Sequence, residues 1–264
     1  MRRAALAAWL VFAFSAGASA QYARPPGWAP TPAAPDLFTR TSFHLFATKL
    51  ATGDRRFGWD THFGGDLDVV DYRAGRLVLL VDYNAVIGSE LRAIDPNQGN
   101  YTLEPSLSLR TPAAELALVF HHVSRHLGDR AKTFALDWNV LGARAMRRLA
   151  VGGATADLAV GAGRFVQHSF VDYTWTANAD LLLRRPIGAR VGAFARASGE
   201  TFGTDRSLYG RGRQSGGSVE GGVHVRGAGG AVELFAGVER RVDADAIGRT
   251  PGTWAIAGFR FLSR

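Results

Sequence analysis

The sequence predicts an all-β fold, a twelve-stranded antiparallel transmembrane β-barrel of outer-membrane type. Three observations point there. Apolar and polar residues alternate with a period of two in segment after segment, as in Tyr101, Leu103, Pro105, Leu107 and Leu109 against Thr102, Glu104, Ser106, Ser108 and Arg110. An export signal precedes these segments. The connections tend to alternate between tight turns and longer polar loops, the rhythm of a barrel with short periplasmic turns and long external loops. A strand that is greasy on one side and polar on the other suits a closed sheet with lipid outside and a polar lumen. A soluble sandwich is the rival, but it needs a second sheet over every apolar face and has no use for the loop rhythm.

Residues 1–20 read as a cleaved signal peptide. Arg2 and Arg3 are its charged start, residues 4–16 are mostly apolar, and Ala18-Ser19-Ala20 is a small-residue cleavage site. The apolar run is too short for a spanning helix, which needs about 20 residues. Residues 21–42 read as a Pro-rich periplasmic lead-in, because Pro25, Pro26, Pro30, Pro32 and Pro35 cannot donate regular ladder bonds. The barrel is expected over 43–264. Cysteine is absent, so closure must come from hydrogen bonding and packing.

The expected strands run in order. Residues 43–50 form a short first strand, turned by 52–55. In 57–71, Phe57, Trp59, Thr61, Phe63, Leu67 and Val69 oppose Asp60, His62, Asp66 and Asp68. Residues 73–75 turn into 76–86, where Leu77, Leu79, Val81 and Tyr83 face out, and 87–100 is a long loop. Strand 101–110 follows, then the turn 111–114 and strand 116–126. In 132–144, Phe134, Leu136, Trp138 and Val140 are expected outward, away from Asp137 and Asn139. Strands 155–163 and 173–184 come next, the latter with Tyr173, Trp175, Ala177 and Leu181 on one side. The turn 185–188, strand 189–200 and loop 201–214 lead to strands 218–226, 232–242 and 254–261. An even number of strands leaves both ends on one side of the membrane. Phe57, Trp59, Tyr83, Tyr101, Trp138, Tyr173, Trp175 and Trp254 lie near strand ends and are candidate interfacial girdles.

The polar rows define a lumen carrying both signs of charge, with Asp60, Asp66, Asp68, Glu104, Arg110, Arg184, Arg190 and Arg196 as its candidate lining. Such an interior either pairs off and fills the barrel or forms a narrow wet path. Asp60, Asp66 and Asp68 share a face, but their spacing lacks a calcium-loop pattern, so arginine pairing is favoured over a metal. No metal or other cofactor is expected. The net charge of +8 includes no compact basic run of a nucleic-acid binder. The expected partners are outer-membrane lipids, lipopolysaccharide and phospholipid, with protein partners undefined and the cell outer membrane as location.

One segment carries chemistry. His122, Ser124 and His126 share a strand face, with adjacent members about 7 Å apart. Following the alternation from Leu116, Leu118 and Phe120, that face is outward, at the external rim; a bulge at 121–122 would turn it inward. A hydroxyl beside an imidazole is the minimum of an activated serine, with Ser124 as nucleophile and His122 or His126 as base. Asp129 and Asp137 are the nearby carboxylates, with Asp137 expected in the lumen. The plainer reading is rim polarity that binds headgroups, and two histidines at this spacing make a poor metal pair.

Residues 122–129, His-Val-Ser-Arg-His-Leu-Gly-Asp, resemble the His-x-Ser-x-His-Leu-Gly-Asp signature of an uncharacterised bacterial family, a domain of unknown function. Arg56-Phe57-Gly58 resembles the start of that family's first long strand. The resemblance implies an exported β-barrel and no activity. His122-x-Ser124 is also similar to the His-x-Ser of outer-membrane lipid A deacylases, which implies Ser124 as nucleophile and His122 as base. That family has Asn after the serine, where this chain has Arg125, and completes its triad with a glutamate. None is evident on the outward face of the next strand as read. The expected function is therefore a non-enzymatic envelope barrel, structural or a narrow porin-like pore, with a lipid-active serine hydrolase as the alternative.

Overall fold

The computed structural model describes residues 24–128 and 134–263; the signal at 1–20, Asp129, and residues 132–133 of the expected sixth strand lie outside the described residues. The strands are β1 (Asp36–Ala51), β2 (Trp59–Asp71), β3 (Arg76–Gly88), β4 (Asp95–Arg110), β5 (Glu115–His126) and β6 (Asp137–Val151). They continue as β7 (Ala154–Ser169), β8 (Tyr173–Pro186), β9 (Val191–Thr204), β10 (Gln214–Arg226), β11 (Gly230–Asp245) and β12 (Thr250–Ser263). Each pairs antiparallel with its chain neighbour, and β1 pairs β12 from His44↔Leu262 to Ala51↔Ala255, closing the barrel. The ring is closed, with its shortest ladder between β9 and β10, where Gln214, Ser215 and Gly216 pair with Phe202, Thr201 and Glu200. One helical turn, α1 (Arg206–Tyr209), sits in the β9–β10 loop, capped by Asp205.

Alternation builds the wall. On β4, Tyr101, Leu103, Leu107 and Leu109 are exposed on the outside while Thr102, Glu104, Ser106 and Ser108 are buried inside. Leu116, Leu118 and Phe120 continue the outer band on β5. The strands run further than the alternation suggests. The first begins at Asp36, inside the expected lead-in, and the seventh extends to Ser169. The turn between β6 and β7 is Gly152-Gly153, both at positive φ, the two-residue hairpin connection that glycine favours.

Three expectations of facing are corrected. On β6 the faces are reversed: Trp138 and Val140 are buried inside, and Asp137 and Asn139 lie outside. The reason is an apolar cluster at the loop end of the lumen, where Leu136, Trp138 and Val140 pack with Val123, Tyr173, Phe202 and Val242. Here greasy residues point inward because other greasy residues meet them there. On β8, Tyr173 is buried and Trp175 exposed, since a register irregularity between them shifts the face. Of the candidate girdle residues, Phe57, Trp138, Tyr173 and Trp254 are buried inside the barrel.

The lumen is filled. Glu104 on β4 accepts from Arg144 on β6 (2.7 and 3.0 Å) and contacts His121 on β5 (2.8 Å). Asp68 and Glu115 hold Arg76, which is fully buried. Asp60 and Glu239 hold Arg241, while Glu220 and Glu233 hold Arg260. Buried ions persist only when paired in this way. A cavity of about 110 Å³ remains at mid-lumen.

The lead-in departs from a simple periplasmic tether. Pro26 and Ala29 are buried, Gly27 O accepts from Arg76 Nη2 at 2.8 Å, and the Trp28 ring stacks under Arg148 at 4.8 Å. Arg24 reaches mid-lumen, 3.4 Å from Glu220 and over the Phe46 ring at 4.4 Å. The segment is an inner plug at the end where the strand termini lie.

Candidate functional site

The sequence-marked lumen residues do not converge on one centre. Asp60 pairs with Arg241; Asp66 and Asp68 share Arg40. Arg110 clamps Asp71 at the rim (2.8 and 2.6 Å), Arg184 reaches Glu233 (3.2 Å) and Arg196 pairs with Asp180 (3.0 Å). Arg190 is corrected: it is exposed in the β8–β9 turn and lines nothing. Among the described residues, no group of three or more His, Asp or Glu side chains is placed to hold a metal ion.

The outward face of β5 does gather chemistry. His122, Ser124 and His126 lie on it, and their inward neighbours His121, Val123 and Arg125 are buried. The β4–β5 register runs without irregularity past His122, so no bulge turns the trio inward. Arg125 anchors the strand from inside, donating Nε to Asn100 Oδ1 at 2.9 Å and lying over the Trp138 ring. Gly128 closes the strand at φ +45°, where a Cβ would strike Pro96 O.

The height of the site is marked by rings. Phe63, Tyr83, Tyr101 and His126 form a continuous outward ladder across β2 to β5, with centroid distances of 5.5, 4.8 and 5.4 Å. Tyr101 lies directly opposite Ser124 in the register. A band of aromatic rings at one level is how a barrel meets the membrane–water boundary.

Two contacts define the trio. Ser124 Oγ is 3.3 Å from His126 Nε2. His122 Nδ1 is 2.7 Å from Asn139 Oδ1 on β6. Asn139 stands opposite His122, and Asp137 opposite Ser124, because β6 presents its odd-numbered residues outward at this height. Sequence reasoning missed Asn139 by placing it in the lumen. The Trp138-Asn139 pair gave no local sign of its facing, since only the inner cluster decides it. The chain continues on β7: Asn139 Nδ2 donates to Gln167 Oε1 (2.6 Å), and Gln167 Nε2 donates to Asp137 Oδ1 (2.8 Å).

The arrangement sets a hydroxyl, two imidazoles and a side-chain amide on one stretch of the outer wall. An acceptor on Nδ1 holds the ring, leaving Nε2 free as a base on the side of the neighbouring serine. Ser124 lies between the two histidines along the strand, with its Oγ on His126 Nε2.

Comparison with solved structures gives the fold company. The Salmonella typhi outer membrane phospholipase, a dimer with bound calcium, matches with TM-score 0.51 at 12% identity, covering 85% of this chain and 90% of that one. Outer membrane phospholipase A from Escherichia coli matches with TM-score 0.51 at 13% identity, covering 84% and 90%. The Acinetobacter baumannii outer membrane protein Omp33 aligns over 85% of this chain at 10% identity, with a TM-score of 0.40. No protein-family model and no curated protein matches, so the motif resemblances stand on their own residues alone. The chain has the closed twelve-stranded fold that bacterial outer-membrane barrels have.

Proposed function

We propose that this barrel is an acyl-ester hydrolase of membrane lipids, with Ser124 as nucleophile, His122 as general base and Asn139 as the group that orients the base. The observation that carries the reading is the 2.7 Å contact of His122 Nδ1 with Asn139 Oδ1, two residues from Ser124 on the same lipid-facing wall. In the forward step Oγ attacks the ester carbonyl and its proton passes to His122 Nε2. The imidazolium then protonates the departing alcohol, leaving an acyl-serine. Water, deprotonated by the same nitrogen, releases the fatty acid and restores the hydroxyl. His126 holds the resting hydroxyl and meets the Tyr101 ring edge-on, a role in positioning.

Location supports the substrate class. With the longer-loop end taken as external, as in outer-membrane barrels, the trio would meet the outer leaflet near its ester linkages. The fold is shared with outer-membrane phospholipases, but a fold alone carries no activity; the side chains carry the proposal. The shared ligand chemistry is an ester-linked acyl chain, offered by glycerophospholipid and by lipid A.

The test is fatty-acid release by refolded protein in detergent micelles, with phosphatidylethanolamine in one arm and lipid A in the other. Ser124→Ala and His122→Ala are expected to lower release by roughly 10⁶-fold while the barrel still folds. His126→Ala should leave most of the rate. Absence of release from both lipids by folded wild-type protein refutes the proposal.

A second reading is a sealed, non-enzymatic barrel whose polar rim binds headgroups. The ion-paired lumen favours it over a pore. The same assay separates it from hydrolysis.

A further inference from the structure

We propose that Asp137 and Gln167 are positioning residues that fix the proton of His122 on Nδ1 through a one-way chain of hydrogen bonds. The inference rests on His122 being the base proposed above, but its central claim concerns a tautomer and can be tested without turnover.

Donor and acceptor identity fixes the direction of this chain. A carboxylate only accepts, so Asp137 Oδ1 requires an N–H from Gln167, and Nε2 supplies it at 2.8 Å. That leaves Gln167 Oε1 pointing the other way, where it accepts from Asn139 Nδ2 at 2.6 Å. Asn139 Oδ1 is then the only amide atom left for His122 Nδ1, at 2.7 Å. An oxygen there demands that Nδ1 carry the hydrogen, and a neutral imidazole then has its lone pair on Nε2. Inverting either amide would set N–H against N–H or oxygen against oxygen. The charge at one end thus determines the tautomer at the other, across β6 and β7.

The backbone shows that this contact is built. Below the site, β7 presents even-numbered residues outward: Val160, Ala162 and Arg164 are exposed beside Ala145, Ala143 and Leu141 of β6. The register slips between Asn139 and Val140, so that Val140 faces Phe165 and Asn139 faces Gln167. The extra residue, Val166, changes the parity of β7 and brings Gln167 alongside Asn139 on the outer wall. A bulge that re-aims a single side chain is common beside functional sites. Without it, Val166 would face Asn139 and the chain would end at an unpartnered amide.

The test uses full-length mature protein labelled with ¹⁵N-histidine in detergent micelles at about pH 9, well above the ordinary imidazole value of about 6.5. The His122 signal, assigned by its loss in His122→Gln, is expected to show Nδ1–H in wild-type protein. In Gln167→Leu and in Asp137→Asn, which can present either an oxygen or an amide, the signal should move toward a mixture with Nε2–H. Asp137→Glu should restore the wild-type tautomer. If hydrolysis is present, Gln167→Leu should reduce kcat by roughly 10–100-fold with little change in KM, the range that outer-shell orienting partners usually carry. Heat-dependent migration on gels checks that each variant folds. An Nε2–H tautomer in folded wild-type protein overturns the relay, as does an unchanged Nδ1–H signal in both folded loss variants. Absence of lipid hydrolysis with the expected tautomers would instead refute the enzymatic reading and leave the relay standing.

Discussion

Replacing Glu104 with leucine tests whether the lumen is dry. Glu104 is 1% exposed and sits where β4, β5 and β6 face each other, accepting both terminal nitrogens of Arg144 and contacting His121. Arg144 is 8% exposed, so Glu104→Leu strands a guanidinium in the barrel without its counter-charge. Breaking a buried pair from one side costs about 3–5 kcal/mol, because the remaining ion has lost its water and its partner. Removing both ions together, as Glu104→Leu with Arg144→Met, should return stability to within about 1 kcal/mol of the parent, since apolar replacements of similar size offset the lost pair. The assay is urea unfolding in phospholipid vesicles, followed by tryptophan fluorescence and by band shift on gels. A loss below about 1 kcal/mol in the single variant would mean that water reaches Arg144. The filled-lumen account would then be wrong.

Other outcomes follow from the same geometry. Leu107→Arg puts a charge on the outer wall, where Leu107 is 53% exposed, and should cost about 2–4 kcal/mol in the same vesicle assay. In planar bilayers the wild-type protein should show no conductance steps, whereas deletion of residues 24–35 should give small ones; large steps from the intact chain would contradict the ion-paired interior. In the β1–β2 loop, Arg56 donates to Asp54 and holds its carboxyl below the usual range. A depressed carboxyl contributes order above the ordinary value of about 3.9 and loses it as pH falls further. Cleavage in that loop by an acid-active protease should therefore rise below about pH 4 in the parent and already be high above it in Asp54→Asn.

The wall of this barrel was legible because lipid and lumen impose opposite demands on alternate residues. Tyr101, Leu103, Leu107 and Leu109 satisfy both, and the facing of residues 101–110 needed nothing else, although β4 begins six residues earlier, at Asp95, in the expected loop. At the loop end the demand changes. Strands project there, and an inner cluster of Trp138, Tyr173 and Phe202 makes the interior as apolar as the outside. Period-two reasoning still finds the two faces of β6 but assigns them the wrong way round, and so hides Asn139. A register slip, as at Val140 or between Tyr173 and Trp175, has no signature in hydropathy. The Gly152-Gly153 turn carries a local glycine signal that the expected strand end at 144 overlooked, so the sixth strand is longer than expected. Partners for Arg24 were beyond reach, because nothing local in the sequence says that a residue before the first strand will meet one from the tenth.

The placement of residues 24–29 constrains the order of assembly. β1 and β12 come from opposite ends of the strand sequence, so their seam closes the largest loop in the molecule and has the greatest entropic cost. Arg24 lies deep inside that ring, enclosed by side chains that leave little free space. Threading it through a finished ring would break the salt bridges that fill the middle, so the leading segment must already be lying in the open sheet when the seam zips.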